Sequence, residues 1–363
     1  MQASAVAGVW MVGGVVCSLA IVGVAWGGQP EPPINHPPKV PAQPLPPSSP
    51  LKRDRSGELL GEIVLVNVGV EKVGTARVLA GLGASPALCR EGDGKVHAVY
   101  LREPERKGGE DGVAGVLELV LTTSGDGGQT WGVPGVVRIE SAPGDLSAPA
   151  GPALVALPGG GLRLYFSAMR LVGGRATGVA EVYSALSRDG GKSFSYEPGV
   201  RLSLPEGASD VAVARMGDVW FMAVPRDGDV GGMTLATSPD GLGFSKVGPW
   251  SVRPGGGALP GHRWRGALLS ADGKLTFVGG GVLPGTAGSR HVWRGTSSDG
   301  REWTSGGVLE VEGFDVGAAL LPGGEALIAV TRRGGRGLPP GEPREPILPV
   351  QPVPGRPVVE PGR

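Results

Sequence analysis

Five times between Ala87 and Val330 the chain repeats one pattern: a short apolar run, a tight turn rich in glycine or aspartate, and a second apolar run. The copies are Ala87-Leu88 with Val96 to Tyr100, Ala153 to Leu157 with Leu162 to Phe166, Val211 to Val213 with Val219 to Ala223, Ala267 to Leu269 with Leu275 to Val278, and Gly317 to Leu321 with Ala326 to Val330. Runs of this length, rich in β-branched and aromatic residues and bounded by turn formers, predict strands joined as hairpins. No stretch here keeps a helical apolar period, so the region is predicted to be all-β. Two further strands are predicted ahead of the first copy, Glu62 to Val68 and Val70 to Leu79.

A second pattern follows the first four copies. Ser124-x-Asp126 leads to Trp131, Ser187-x-Asp189 to Phe194, Ser238-x-Asp240 to Phe244 and Ser297-x-Asp299 to Trp303. The aromatic follows the serine by seven positions in the first two segments and by six in the last two, so the later turns are one residue shorter. In each, a carboxylate is placed to accept hydrogen bonds from nearby backbone N–H groups, a glycine supplies positive φ, and the aromatic pins the turn to the sheet. About four strands per repeat is the content of one propeller blade. The fifth copy has no such segment after it, and the two N-terminal strands are predicted to complete it and so remove its open edges. The expected fold is therefore a five-bladed β-propeller closed by its N-terminal strands.

The Ser-x-Asp-x-Gly-x-Thr-Trp pattern resembles the Asp-box, or bacterial neuraminidase repeat, of the sialidase-like propeller superfamily, over roughly residues 60–335. The resemblance implies that Asp126, Asp189, Asp240 and Asp299 are structural, in turns between the third and fourth strands of each blade and far from any catalytic face. A sialidase would also carry an Arg-Ile-Pro-like segment in its first blade, three clamping arginines, a tyrosine nucleophile with a glutamate partner, and an aspartate acid/base. The first blade reads Ala84 to Arg90 without that opening segment. Tyr183 with Glu181 has the residue types of the nucleophile pair, but lies on the strand leading into an Asp-box, where a peripheral aromatic has a structural role.

The ends of the chain differ from its middle. Of 35 prolines, ten fall between Pro30 and Pro50 and nine between Pro339 and Pro361, leaving an ordinary density for the segment between. Residues 4–26 carry no charge, and 23 residues at about 1.5 Å each form a helix able to cross a hydrocarbon core of roughly 30 Å. The expected organisation is a signal-anchor or signal peptide at 1–28, a Pro-rich linker at 29–57, the propeller at 58–336 and a Pro-rich disordered tail at 337–363. The linker is expected to form a semi-rigid polyproline stalk. Cys17 and Cys89 form no disulfide framework and no cysteine metal site.

Lys and Arg number 34 against 34 Asp and Glu, so there is no basic field for nucleic acid. The four histidines, His36, His97, His262 and His291, have no paired ligand spacing, and neither metal nor cofactor is expected. Gly159 to Gly161 joins two strands and opens no helix, which removes the phosphate-loop reading. The charged loop Glu103 to Gly112 reads as a solvated excursion.

Propeller ligands meet the face around the central channel, at the starts of the innermost strands. Those positions hold Ser85, Asp145, Ser147, Asp210, Trp264, Arg265 and Asp315. Acids, a guanidinium and an indole face are the groups that bind a sugar, with Arg265, Trp264, Asp210, Asp315 and Ser147 as the candidate ligand-binding set. The same groups can instead satisfy buried backbone in a narrow channel. Asp210 and Asp315, with Asp145 behind them, are the candidate acids for glycoside hydrolysis, although Ser85 stands where a first-blade acid is expected. Two classes of function follow. One is a membrane-tethered or secreted extracytoplasmic module at the bacterial cell envelope that recognises a glycan or a protein, including one in a membrane complex, without catalysis. The other is an exo-acting glycoside hydrolase, sialidase-like or of the five-bladed two-carboxylate type.

Overall fold

A computed structural model describes residues 60–69, 74, 76–104, 117–225, 233–252, 265–282 and 290–332. The expected hydrophobic helix at 4–26, the linker, the tail, Trp264, His36, His262 and most of the charged loop lie outside the described residues. The described residues form strands and turns, with no helix.

The first strands are β1 (Gly61–Val68), β2 (Arg77–Arg90), β3 (Val96–Arg102), β4 (Glu118–Ser124) and β5 (Gly135–Val136). Next come β6 (Ile139–Glu140), β7 (Ala150–Ala156), β8 (Leu162–Val172), β9 (Arg175–Ser187) and β10 (Phe194–Leu202). They are followed by β11 (Ala212–Met216), β12 (Val219–Pro225), β13 (Met233–Ser238), β14 (Ser245–Pro249), β15 (Ser251–Val252) and β16 (Arg265–Ala271). The last are β17 (Lys274–Val282), β18 (Arg290–Ser297), β19 (Glu302–Glu312), β20 (Phe314–Leu320) and β21 (Ala326–Arg332).

Every repeat is an antiparallel meander, as the hairpin pattern predicts. Three sheets take one repeat each: β7 to β10 with β6 at the edge, β11 to β14, and β16 to β19 with β15 at the edge. The fourth has seven strands in the order β20-β21-β1-β2-β3-β4-β5 and so joins the last described strands to the first. β1 lies between β21 and β2, in register with β21 from Glu62 opposite Arg332 to Val68 opposite Ala326. The strand expected at Val70 to Leu79 begins instead at Arg77 and runs on to Arg90. Its first half pairs with β1 and its second half with β3. That continuity makes one sheet where two were expected.

Among the described residues four cores lie between sheets and a fifth within the seven-stranded sheet. One cluster sets Val99 and Leu121 against Leu162 and Phe166, the next sets Tyr165 against Met222 and Phe244, and a third sets Phe221 against Phe277 and Trp303. A fourth joins Val278 and Val292 to Val316 and Val330, and a fifth joins Ala329 and Leu327 to Leu88 and Tyr100. Each strand that opens a repeat touches the next: β2 touches β7, β7 touches β11, β11 touches β16, β16 touches β20, and β20 touches β2.

The four aspartate turns fasten these junctions. Asp126 Oδ1 accepts from Gln129 N at 2.9 Å and Thr130 N at 2.8 Å, and Ser124 Oγ donates to it at 2.7 Å. Asp189 repeats this with Lys192 and Ser193. In the shorter turns Asp240 accepts from Leu242 N and Gly243 N, and Asp299 from Arg301 N and Glu302 N, each one residue nearer. These bonds favour the carboxylate and hold all four carboxyls below the ordinary aspartate range, Asp189 down to about 2. Depressed values contribute stability above the unfolded value of about 3.9 that is lost as pH falls.

The turn of Asp240 also docks on the preceding sheet. Tyr165 donates to Gly241 O at 2.9 Å, Arg163 to Asp240 O at 3.1 Å, and Arg201 to Leu242 O at 2.9 Å. Gly241 has φ of 75°, and a Cβ there would stand 2.7 Å from the Tyr165 hydroxyl and 2.9 Å from Trp220. Gly241→Ala is therefore expected to lower the unfolding free energy by about 2 kcal/mol in urea melts. Gly243→Ala, with open space at its Cβ, is expected to stay within about 0.5 kcal/mol. Equal losses for the two would contradict the docking of this turn.

Candidate functional site

Five equivalent positions meet, within β2 at the point where its pairing passes from β1 to β3 and at or just before the starts of β7, β11, β16 and β20. Ser85, Gly151, Asp210, Arg265 and Asp315 are followed by Pro86, Pro152, Val211, Gly266 and Val316, and these ten residues line one small cavity. Its volume is about 20 Å³, room for about one water. Beyond it lies a second cavity of about 30 Å³ lined by Ala87, Leu88, Leu154, Val213, Leu268 and their neighbours, an apolar channel beneath a polar mouth.

The backbone turns the same way at four of these positions, with φ of 49° at Ser85, 53° at Gly151, 54° at Asp210 and 49° at Asp315. Only five described non-glycine residues have positive φ, and three of them are here. A side chain in this region costs roughly 1 kcal/mol or more, least for aspartate, and persists where its surroundings hold it. At Gly151 a Cβ would come within 3.0 Å of Asp210 Oδ1, so glycine is required by space as well.

An ionic network spans the mouth. Arg265 Nη1 is 2.9 Å from Asp315 Oδ1, and Arg265 Nη2 is 3.2 Å from Asp210 Oδ2. Ser85 Oγ donates to Asp315 Oδ2 at 3.4 Å, and Ser209 Oγ to Asp210 Oδ2 at 3.2 Å. Exposure falls across the network, from 29% for the Arg265 side chain to 13% for Asp210 and 3% for Asp315. Burial pushes the Asp315 carboxyl above the ordinary aspartate value; Arg265 opposes the rise and the Asp210 charge adds to it.

Of the residues expected here, the structure brings together Ser85, Asp210, Arg265 and Asp315. Asp145 and Ser147 lie ahead of β7, outside the cavity lining. Asp145 instead forms an exposed ion pair with Arg170 at 2.9 Å, and Ser147 Oγ accepts from Met169 N. Gly151 takes the position assigned to them. The signal was present, since Gly151-Pro152-Ala153 aligns with Ser85-Pro86-Ala87, but a glycine carries no chemistry to draw the eye. The four turn aspartates are absent from the mouth.

Tyr183 donates to Glu181 at 2.7 Å, so the pair exists. The tyrosine is fully buried, stacked on Phe166, and its phenol is pushed up to about 12 by burial and by the Glu181 carboxylate. Its ring belongs to the core between two sheets and lies outside the lining of the mouth. His97 is likewise internal, with Nδ1 2.9 Å from Thr123 Oγ1 and Nε2 2.8 Å from Glu91 Oε2. Sequence reading missed that triplet because Glu91 lies in a turn and Thr123 ahead of an aspartate segment.

No known family and no curated protein matches the sequence. Among solved structures, the chain is similar to a family 117 glycoside hydrolase of the marine bacterium Zobellia galactanivorans, with TM-score 0.48, 15% identity, and coverage of 66% of this chain and 73% of that one. It is similar to a GH32 β-fructofuranosidase of Bombyx mori, with TM-score 0.48, 16% identity, and coverage of 70% and 56%. It is also similar to a Hadza microbial sialidase, with TM-score 0.45, 15% identity, and coverage of 74% and 59%.

Removing the guanidinium leaves two carboxylates facing each other, one of them buried. Arg265→Ala is expected to lower the unfolding free energy by about 2–3 kcal/mol, below the full range for a buried pair because the arginine is partly hydrated. Adding Asp315→Asn is expected to restore about half of that loss. Urea melts of the single and double variants check this, and a double variant no more stable than the single would contradict the network.

Proposed function

We propose that the described residues form a five-bladed β-propeller closed by β1 and the first half of β2, with Asp-box turns as its fasteners. We further propose that the protein is a recognition or scaffold module that binds a glycan or protein outside the cytoplasm and carries out no hydrolysis at its channel mouth. The four cores between sheets, the fifth within the seven-stranded sheet, and the circular sequence of contacts among the repeat-opening strands support the propeller. The uncharged segment 4–26 and the Pro-rich stalk support an envelope location, tethered or secreted.

The observation that carries the non-catalytic reading is the placement of Arg265 between the two candidate acids. A two-carboxylate glycosidase holds its acids about 5–9.5 Å apart with the sugar between them. Here a guanidinium bonds to both, and the cavity around them is far below the roughly 300 Å³ at which ligand pockets begin. Ser85 supplies no third acid.

One observation favours the alternative. Asp315 is buried with a raised carboxyl, the property a general acid needs, and Asp210 shares its partner. As a glycoside hydrolase the protein would have to withdraw Arg265 to admit a sugar. The two readings separate by experiment. The full-length protein is expected to retain a glycan on an array, or an envelope protein in a pull-down, and to release no product from a panel of aryl glycosides and sialosides. Turnover abolished by Asp210→Asn would establish the hydrolase instead.

A further inference from the structure

We propose that the tip of the β8–β9 hairpin rests on an anionic lipid surface. The contact presupposes the tethered envelope location proposed above and names the surface by which the propeller meets the membrane.

The hairpin stands clear of its sheet. Ala150, next to the mouth residue Gly151, pairs with Ser167 of β8, and Ser167 pairs with Val182 of β9. β8 continues past that level to Val172 and β9 returns from Arg175, so at about 3.3 Å per residue the tip lies roughly 15 Å past the mouth along the strand. Loop residues brace its base: Leu171 N donates to Asp145 O at 2.6 Å, Ser147 N to Met169 O at 2.9 Å, and Arg170 pairs with Asp145 at 2.9 Å. Beyond that brace, residues 172–179 are all exposed.

The tip reads Arg170-Leu171-Val172-Gly173-Gly174-Arg175, an apolar pair and two glycines between arginines. Val172 is 68% exposed and Val179 39%. No aspartate or glutamate occurs in residues 169–180. Asp145 answers Arg170, whereas Arg175 has no acidic partner among the described residues. An exposed apolar end beside an unanswered guanidinium fits lipid of negative charge: the valine enters the headgroup region and Arg175 meets the phosphates. Exposure alone does not select this end of the propeller, since Val133, beside the first aspartate turn at the opposite end, is 95% exposed. The path of the chain selects it. β1 begins at Gly61, opposite Gly83 beside the mouth, and β21 ends at Arg332, opposite Glu62, so the chain enters and leaves the described sheets at the end that carries the hairpin. Residues 4–26, uncharged and long enough to span a hydrocarbon core, lie upstream of that entry in the sequence.

Hydrogen exchange of the full-length protein in nanodiscs tests this, with phosphatidylcholine alone compared with phosphatidylcholine mixed with phosphatidylglycerol. Exchange of residues 171–176 is expected to slow about fivefold in the anionic discs, the effect of one arginine at an anionic surface, while residues 132–136 are expected not to change. Arg175→Glu is expected to abolish the slowing and Val172→Ser to weaken it; both positions are exposed, so both variants keep the fold. Failure of the full-length protein to enter the discs would overturn the tethered location and the contact with it. Incorporation with equal exchange in the two lipids, slowing that survives Arg175→Glu, or slowing at residues 132–136 instead would overturn the contact alone. Slowing that appears only when solubilised envelope protein is added would also overturn it, and would assign the hairpin to a protein partner.

Discussion

Apolar side chains on both faces of each sheet bury themselves against the sheet before and the sheet after, and this packing between sheets sets the rest of the structure. A four-stranded antiparallel sheet with two apolar faces is not stable alone. It needs a neighbour on each side, and the neighbour needs the next. The requirement ends when the last repeat packs on the first, as Leu327 and Ala329 do against Leu88 and Tyr100. β1 adds hydrogen bonds to that contact by lying between β21 and β2, so the contact joining the two ends of the described chain is the one that also shares a sheet.

The same arrangement explains why charged chemistry collects at one point. The repeat-opening strands touch one another in turn and bring Ser85, Gly151, Asp210, Arg265 and Asp315 around one small cavity, whose narrow space admits only side chains that satisfy one another. Arg265 answers Asp210 and Asp315, Ser85 answers Asp315, and Gly151 gives way to Asp210. Left-handed backbone at Ser85, Gly151, Asp210 and Asp315 carries an energetic cost that the network offsets. The mouth is thus both a structural junction and the place where a change of charge is felt by three or four repeats at once.

Most of the fold was legible because its determinants are local. Hairpin runs at Ala153 to Phe166 or Ala326 to Val330 announce themselves by composition, and the four aspartate turns by a spacing that even reports the one-residue difference between Asp189 and Asp240. The continuity of β2 was not legible, because whether Arg77 to Gly83 and Ala84 to Arg90 form one strand or two depends on partners far away in sequence. At the mouth, Ser85, Asp210, Arg265 and Asp315 were found by their place in the repeat. Asp145 and Ser147 lie ahead of Gly151, which lines the cavity in their repeat and whose role there is steric, a role that carries no side-chain signal. That Arg265 ties Asp210 to Asp315 is a matter of a few ångströms, which spacing does not encode.

Closure of the array through β1 is the central claim, and cross-linking tests it most directly. Glu62 and Arg332 stand opposite each other on β1 and β21, within the Cα separation that a disulfide spans. In protein lacking Cys17 and Cys89, Glu62→Cys with Arg332→Cys is expected to form an intramolecular disulfide on mild oxidation, recovered as a linked peptide from the monomer with the fold intact. A pair that stays reduced, or that links only between molecules, would contradict the closed array.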